Sequence, residues 1–370
     1  MAKLLLDALL LIGWAPHKAG PAAVAAAPVM APQAAWEEGA RSLDPSLRGR
    51  SLALLIRTAA TADSPYAQRA LLDPAPWVAR QGIAALAARP DGRPVLLAAV
   101  DSPTVPAQAR CLAAQASGDA AAQARVAPLA WETDDALTAT LCGLVGAQGG
   151  DPTSIKLLAH TMRDGVMPLD VDFARDLGRS GLVALREPLA AAIEGAEPEM
   201  ALPLAMALFE LGGGDKALVD ALTGPSEEAA MAALDLLAAS ENPAARPLIA
   251  QAARRAPGAA ALYARLLGLG DGSGDVAAFT EALAAEDREL TFLAFEALSA
   301  ALRQPDPPDK LRRAAVAPVQ AAATDEDEPL RAAAAAVLGA PGMDQALLRT
   351  LQADPDLAVR VAAAAAPAGL

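Results

Sequence analysis

Asp325 to Val337 reads D-E-D-E-P-L-R-A-A-A-A-A-V, and Asp354 to Ala366 reads D-P-D-L-A-V-R-V-A-A-A-A-A. The two blocks start 29 residues apart. Each opens with acids and a proline, passes through an arginine and runs into an apolar helix of small residues. Between them Ala346, Leu347, Leu348 and Leu351 carry a second helical pattern. A helix-turn-helix unit that recurs at a fixed short period is the sequence signature of a repeat array.

Outward from these blocks the same punctuation returns. Asp44-Pro45-Ser46-Leu47 and Asp73-Pro74-Ala75-Pro76 are again 29 residues apart. Proline in a first helical turn gives up no hydrogen bond, and an aspartate before it is placed to cap the free amides. After Asp73 the apolar positions Val78, Ile83 and Leu86, with Arg80 among them, fall on one helical face, followed by a Pro90-Asp91-Gly92 turn and then Val95, Leu96 and Val100. Asp101 is expected to open the next copy, with Arg110 and Leu112, and Glu132 the one after, through Leu137, Leu141 and Leu144. From 161 to 195 the register is less regular, although Leu182, Leu185, Leu189 and Ile193 keep a helical period. Trp36 to Leu43 is expected to form a short capping helix. Roughly ten or eleven helix pairs fit the whole chain.

The composition agrees with this pattern. Of 370 residues 54% are hydrophobic but only 3% aromatic, so the apolar content is mainly Ala and Leu, strong helix formers that let helix axes approach closely. Too few β-branched and aromatic residues remain for a sheet protein. An all-α chain is expected, and because an array grows by adding units, one elongated domain rather than two globular ones.

The formal charge of −14 argues against a nucleic-acid backbone as ligand, since phosphate binding needs clustered Lys and Arg. The charge is uneven: +1 over residues 1–36, +2 over 37–125 and −17 over 126–370. A basic front of this kind is able to orient an acidic partner, and uneven surface charge alone also accounts for it.

The acidic or Asp-Pro start, then Leu or Val, Arg and an Ala-rich first helix, then a Leu-rich second helix, resembles the HEAT-repeat superfamily in its short bacterial form. The resemblance is most specific at Asp327-Glu328-Pro329-Leu330-Arg331-Ala332-Ala333 and at Asp354 to Ala362, and covers about residues 44–366. The arginine seen at 80, 110, 331 and 360 is absent from several middle units. The resemblance implies an α-solenoid of stacked helix pairs over residues 36–370, with a long groove suited to extended peptides or protein surfaces. Some members of this class are lyases that attach bilins to phycobiliproteins, but no residue here singles out that activity.

Residues 1–14, M-A-K-L-L-L-D-A-L-L-L-I-G-W, have one early Lys and an apolar run too short to span a bilayer. Leu11-Ile12-Gly13 resembles the lipobox of bacterial lipoproteins, where the next residue is the lipid-bearing Cys; here it is Trp14. Residues 15–35, rich in Ala and Pro, read as an extended tether. A leader and tether suggest a protein of the bacterial cell envelope or periplasm, membrane-associated through this segment only; the alternative is a cytoplasmic protein with an amphipathic first helix.

Candidate chemistry is sparse. His17 and His160 are the only histidines, and no Gly-x-Ser-x-Gly elbow accompanies them. Cys111 and Cys142 lie 31 residues apart, about one period, and so occupy similar places on successive first helices. A disulfide is open to them in an oxidising compartment, but stacked helix axes lie about 8–10 Å apart and bridged Cα atoms within about 7 Å, which favours buried free thiols. Asp271-Gly-Ser-Gly-Asp275 lacks the later ligands of a calcium loop, and the acids of 325–328 suit a helix N-terminus. No catalytic residue, metal ligand or cofactor is assigned. The function expected is a non-enzymatic scaffold or adaptor that binds a protein partner along its groove, through Arg48, Arg50, Trp77, Arg80 and Arg110. The alternatives are a HEAT-like lyase acting on a cofactor-bearing protein, which requires a deep pocket, and a purely structural spacer.

Overall fold

The computed structural model describes residues 32–163 and 171–366, apart from 241, 271, 273, 274 and 286. The leader, nearly all of the tether and His17 lie outside the described residues. Every regular element among the described residues is a helix, as the Ala- and Leu-rich composition requires. None of these helices is long and apolar enough to cross a membrane.

The helices gather into two compact units. Among the described residues, one draws on those within 1–55, 222–238 and 244–370, and the other on those within 56–221 and 239–243. In the second, a core of Leu144, Leu158, Met162, Phe173, Leu177, Leu185, Leu189, Leu204 and Leu211 runs through the stretch whose register was irregular. Leu185 ends a short 3-10 turn, Val183–Leu185, that leads into the helix Arg186–Glu194. The period is broken there, and the packing continues.

Small residues set how closely helices approach. A methyl group at Gly82, in Pro76–Ala87, would fall 2.4 Å from the Ala70 Cβ of Pro65–Leu71. That is closer than two carbons tolerate, so the crossing requires glycine.

The acids at helix starts work as the sequence suggests, in two ways. Asp119, Asp135 and Asp151 accept amides three residues on, at Ala122, Thr138 and Ser154, as ordinary N-caps. Asp73 and Asp354, of Asp-Pro pairs, instead accept the amides of Ala75 and Asp356 two residues on and shape the loop before the helix. Asp101 and Glu132 do not open helices: each is the last residue of one, Arg93–Asp101 and Leu129–Glu132. The next helices begin at Ala107 and Ala136, where Pro106 and Asp135 break or cap the chain better. The short helix expected from Trp36 runs Pro32–Gly39, because Pro32 suits a first turn and the chain turns after Gly39.

The recurring arginine has a specific use. Arg331 donates to the carbonyls of Asp325 and Glu326, both at 3.0 Å, and forms a two-pronged pair with Asp354 at 2.8 and 3.1 Å. Arg48 and Arg360 also donate to the carbonyls six and five residues before them, Ser42 and Leu43 for one, Asp354 and Pro355 for the other. The guanidinium thus closes the loop ahead of its own helix. A further arginine, Arg89, donates to the carbonyls of Ile56, Arg57 and Ala59, satisfying groups that a helix end leaves free. Its pairing with Asp91 holds that carboxyl down at about 2.

Cys111 and Cys142 are joined in a disulfide, with Cα atoms 5.3 Å apart. The expectation of free thiols is corrected. It compared bridging distances with the separation of helix axes, whereas Cα atoms stand about 2.3 Å off each axis, so axes about 10 Å apart bring facing Cα atoms to about 5.4 Å.

Candidate functional site

The sequence assigned no catalytic or metal site, and the candidate site emerges from packing in the second unit. The helices Pro76–Ala87, Ala107–Ser117 and Ala136–Gln148 are successive first helices there, and their opening turns surround a hollow of about 250 Å³. Its wall is apolar at Ala79, Ala109 and Leu112, stiffened by Pro74, Pro76 and Pro106, and polar at Asp73, Gln108, Thr133 and Thr138. The disulfide fastens two of the three helices to each other, so those two walls hold a fixed spacing.

The neighbourhood is unusual in what it exposes. Six large apolar side chains are exposed among the described residues, and three of them lie within two residues of hollow-lining positions in sequence. Leu72, 49% exposed, precedes Asp73; Trp131, 54% exposed, stands two before Thr133; Leu137, 43% exposed, precedes Thr138. Acids share this sequence neighbourhood: Asp73, Glu132, Asp134 and Asp135. The hydroxyl and amide of Thr138 hold the Asp135 carboxyl below its ordinary value, so it stays charged. Neither Ala75 nor Pro106, ahead of their helices, caps with a side chain.

The five residues expected to meet a partner are divided between the units, and several are already engaged. Arg48 closes its own loop, Arg80 pairs with Asp176 at 3.2 Å, and Arg110 donates to the carbonyl of Val100 at 2.9 Å. Arg50 is half-buried, and burial pushes its guanidinium below the ordinary value. Trp77 is half-buried on the same helix as Arg80. Reversing charge at Arg48 and Arg80 would break these contacts as well as alter the surface. His160 is exposed on Pro152–Arg163, and Asp275 caps Val276–Ala284 while pairing with Arg265 at 2.8 Å.

The first unit holds a second grouping that residue-type searching missed. Asp235, Tyr263 and Glu296 stand on successive first helices, Glu227–Ala238, Gly258–Gly270 and Arg288–Leu302. The Tyr263 hydroxyl donates to Asp235 at 2.6 Å. Desolvation raises the Asp235 carboxyl to about 6, partly offset by that bond and reinforced by the charge of Glu289. Glu296 is exposed by surface area, which limits how far burial acts on it; its carboxyl moves upward from burial first and the charge of Asp235 second. The signal in the sequence is a polar residue in each apolar run, Leu234-Asp235-Leu236, Leu262-Tyr263-Ala264 and Phe295-Glu296-Ala297, at about the repeat period.

The consequence for stability has a definite sign. The folded Asp235 carboxyl binds its proton more tightly than the unfolded one, so its favourable contribution is complete below pH about 4 and is lost as the pH rises through 6. The stability of the native chain minus that of D235N is expected to fall by about 2–3 kcal/mol between pH 4 and 7, measured by urea unfolding. A difference that stays flat with pH would remove the shift.

No family model matches the chain, and no curated protein or solved structure does.

Proposed function

We propose that the chain is a HEAT-like α-solenoid over residues 36–370 that acts as a non-enzymatic interaction scaffold, and that the hollow between the Pro76, Ala107 and Ala136 helices seats a segment of a partner protein. The observation that carries this reading is the concentration of exposed Leu72, Trp131 and Leu137 beside one braced recess. Exposed apolar side chains grouped at a recess mark binding surfaces, and aromatic anchors supply much of the energy at such sites. The acids nearby favour a segment with one or two apolar side chains and basic flanks, which revises the acidic partner expected from the basic front. A disulfide suits an oxidising compartment and supports placement in the cell envelope or periplasm.

The test is a photo-crosslinking amino acid at Gln108, on the wall, against one at Gln123, on the helix Ala120–Val126 outside the lining. A partner is expected to crosslink at Gln108 in the native background. W131A/L137A is expected to lower that yield at least tenfold while leaving the far-ultraviolet circular dichroism unchanged, since both side chains are exposed. Equal yields at the two positions, or a yield indifferent to W131A/L137A, would reject the hollow as the binding site.

A further inference from the structure

In the first unit the two kinds of helix use their cations differently. On the first helices from Glu227–Ala238 to Leu357–Ala365 every arginine meets a carboxylate. Arg265 pairs with Asp275 at 2.8 Å, Arg288 with Asp327 at 2.9 Å, Arg331 with Asp354 at 2.8 Å and Arg360 with Glu38 at 3.0 Å. The last of these joins Leu357–Ala365 to the helix Pro32–Gly39 packed against it, ahead of a bend at Leu43, 97% exposed. The second helices, Ala245–Arg255, Val276–Ala284, Asp309–Ala323 and Gln345–Leu351, carry seven arginines and lysines against two acids. Both acids are taken, Glu281 by Arg265 at 2.6 Å and Asp309 by Arg312 at 3.5 Å. Arg254, Arg255, Lys310, Arg313 and Arg349 are exposed and make no ion pair among the described residues.

These second helices form one row. Val276–Ala284 touches Asp309–Ala323, which touches Gln345–Leu351, and Ala245–Arg255 packs on Gly258–Gly270 as Val276–Ala284 does. With neighbouring axes about 10 Å apart, the row spreads its free cations over about 30 Å. On Asp309–Ala323 the exposed Lys310, Arg313, Val316 and Gln320 follow three and four apart along one line, with Val316 47% exposed. The acids of the first helices lie a helix layer behind, about one Debye length away at physiological salt. Acids return at the turns that edge the row, at Asp306, Asp325, Glu326 and Asp344, so the positive potential is confined to the helix faces.

We propose that this row is a membrane-facing surface, seated on the anionic headgroups of a phospholipid bilayer. Unpaired Arg and Lys on long apolar stems, set beside an exposed valine, suit a face that lies on headgroups without entering the hydrocarbon. The only aromatic of the four helices, Phe279, is buried, so the row lacks the exposed anchor that a protein partner would grip. The sequence ahead of Pro32 favours the same ligand. Its apolar run over residues 1–14 is too short to span a bilayer, and a single weak insertion holds firmly once a basic surface joins it. The body then adds to a membrane contact expected from the leader alone.

The test is flotation of the full-length chain with vesicles of phosphatidylcholine alone and of phosphatidylcholine with phosphatidylglycerol, two to one. Binding is expected on the anionic vesicles and is expected to be lost at about 0.5 M salt, where charges are screened within a few ångström. K310Q/R313Q/R349Q is expected to weaken it about tenfold or more, since each cation near such a surface contributes about fivefold. R41Q/R57Q/R125Q makes the same change in charge at exposed positions elsewhere and is expected to stay within about twofold of the native chain. V316W gives an independent reading: its added indole emission is expected to move to shorter wavelength on the anionic vesicles only. Equal binding to both vesicles, equal losses in the two triple variants, or an unshifted V316W overturns the inference. So does a change in the oligomeric state of K310Q/R313Q/R349Q without vesicles, which would assign the row to a second copy of this chain.

Discussion

Replacing Cys111 and Cys142 together by alanine is expected to lower the unfolding free energy of the second unit by about 4 kcal/mol. The bond closes a loop of 31 residues' separation, and the chain entropy it removes from the unfolded state corresponds to about that value. Both cysteines are fully buried, and each alanine leaves only a small void, so the lost cross-link dominates. Urea unfolding followed by hydrogen exchange in Ala107–Ser117 and Ala136–Gln148 measures it. The native sequence with a reductant is expected to behave like the double variant without one, and the variant to ignore the reductant. If reductant leaves the native midpoint unchanged, the bond does not stabilise the unit.

R331M is expected to cost about 3–5 kcal/mol, the range for removing one member of a buried ion pair. Asp354 is 7% exposed and Arg331 14%, so water is poorly placed to replace the guanidinium at Asp354, whereas it reaches the exposed Asp325 and Glu326 carbonyls. D354N is expected to cost less, since the amide oxygen in the place of Oδ1 still accepts the Asp356 amide and the Arg331 Nη2 bond, and only the Nε bond is lost. Chemical unfolding of the three proteins decides the order. Equal stability of R331M and the native chain would show that the clamp contributes nothing.

The readable parts of the sequence were those governed by local rules. Ala and Leu in helical spacing dictate helices, and acids before them dictate caps, because both act within a few residues. Asp101 and Glu132 show the limit: an acid signals a boundary without saying on which side of it the helix lies. The cysteines show another, since spacing placed both on corresponding helices but not at what azimuth they face. The hollow is assembled from residues 73 to 138 and owes its existence to how three helix starts splay. No single segment encodes that. Arg80 and Arg110 were legible as a recurring residue type, yet their partners, Asp176 and the Val100 carbonyl, follow only from packing.

The docking of Pro32–Gly39 on Leu357–Ala365 also has a mechanical side. A pull applied to the chain ahead of Pro32 would first load the packing of this helix and its Glu38–Arg360 pair, whose residues lie more than 300 positions apart in sequence. The exposed bend at Leu43 lies behind that contact and would carry tension only after it slipped. The helix would then act as a strain relief, keeping traction on the leading segment from peeling open the helices that follow.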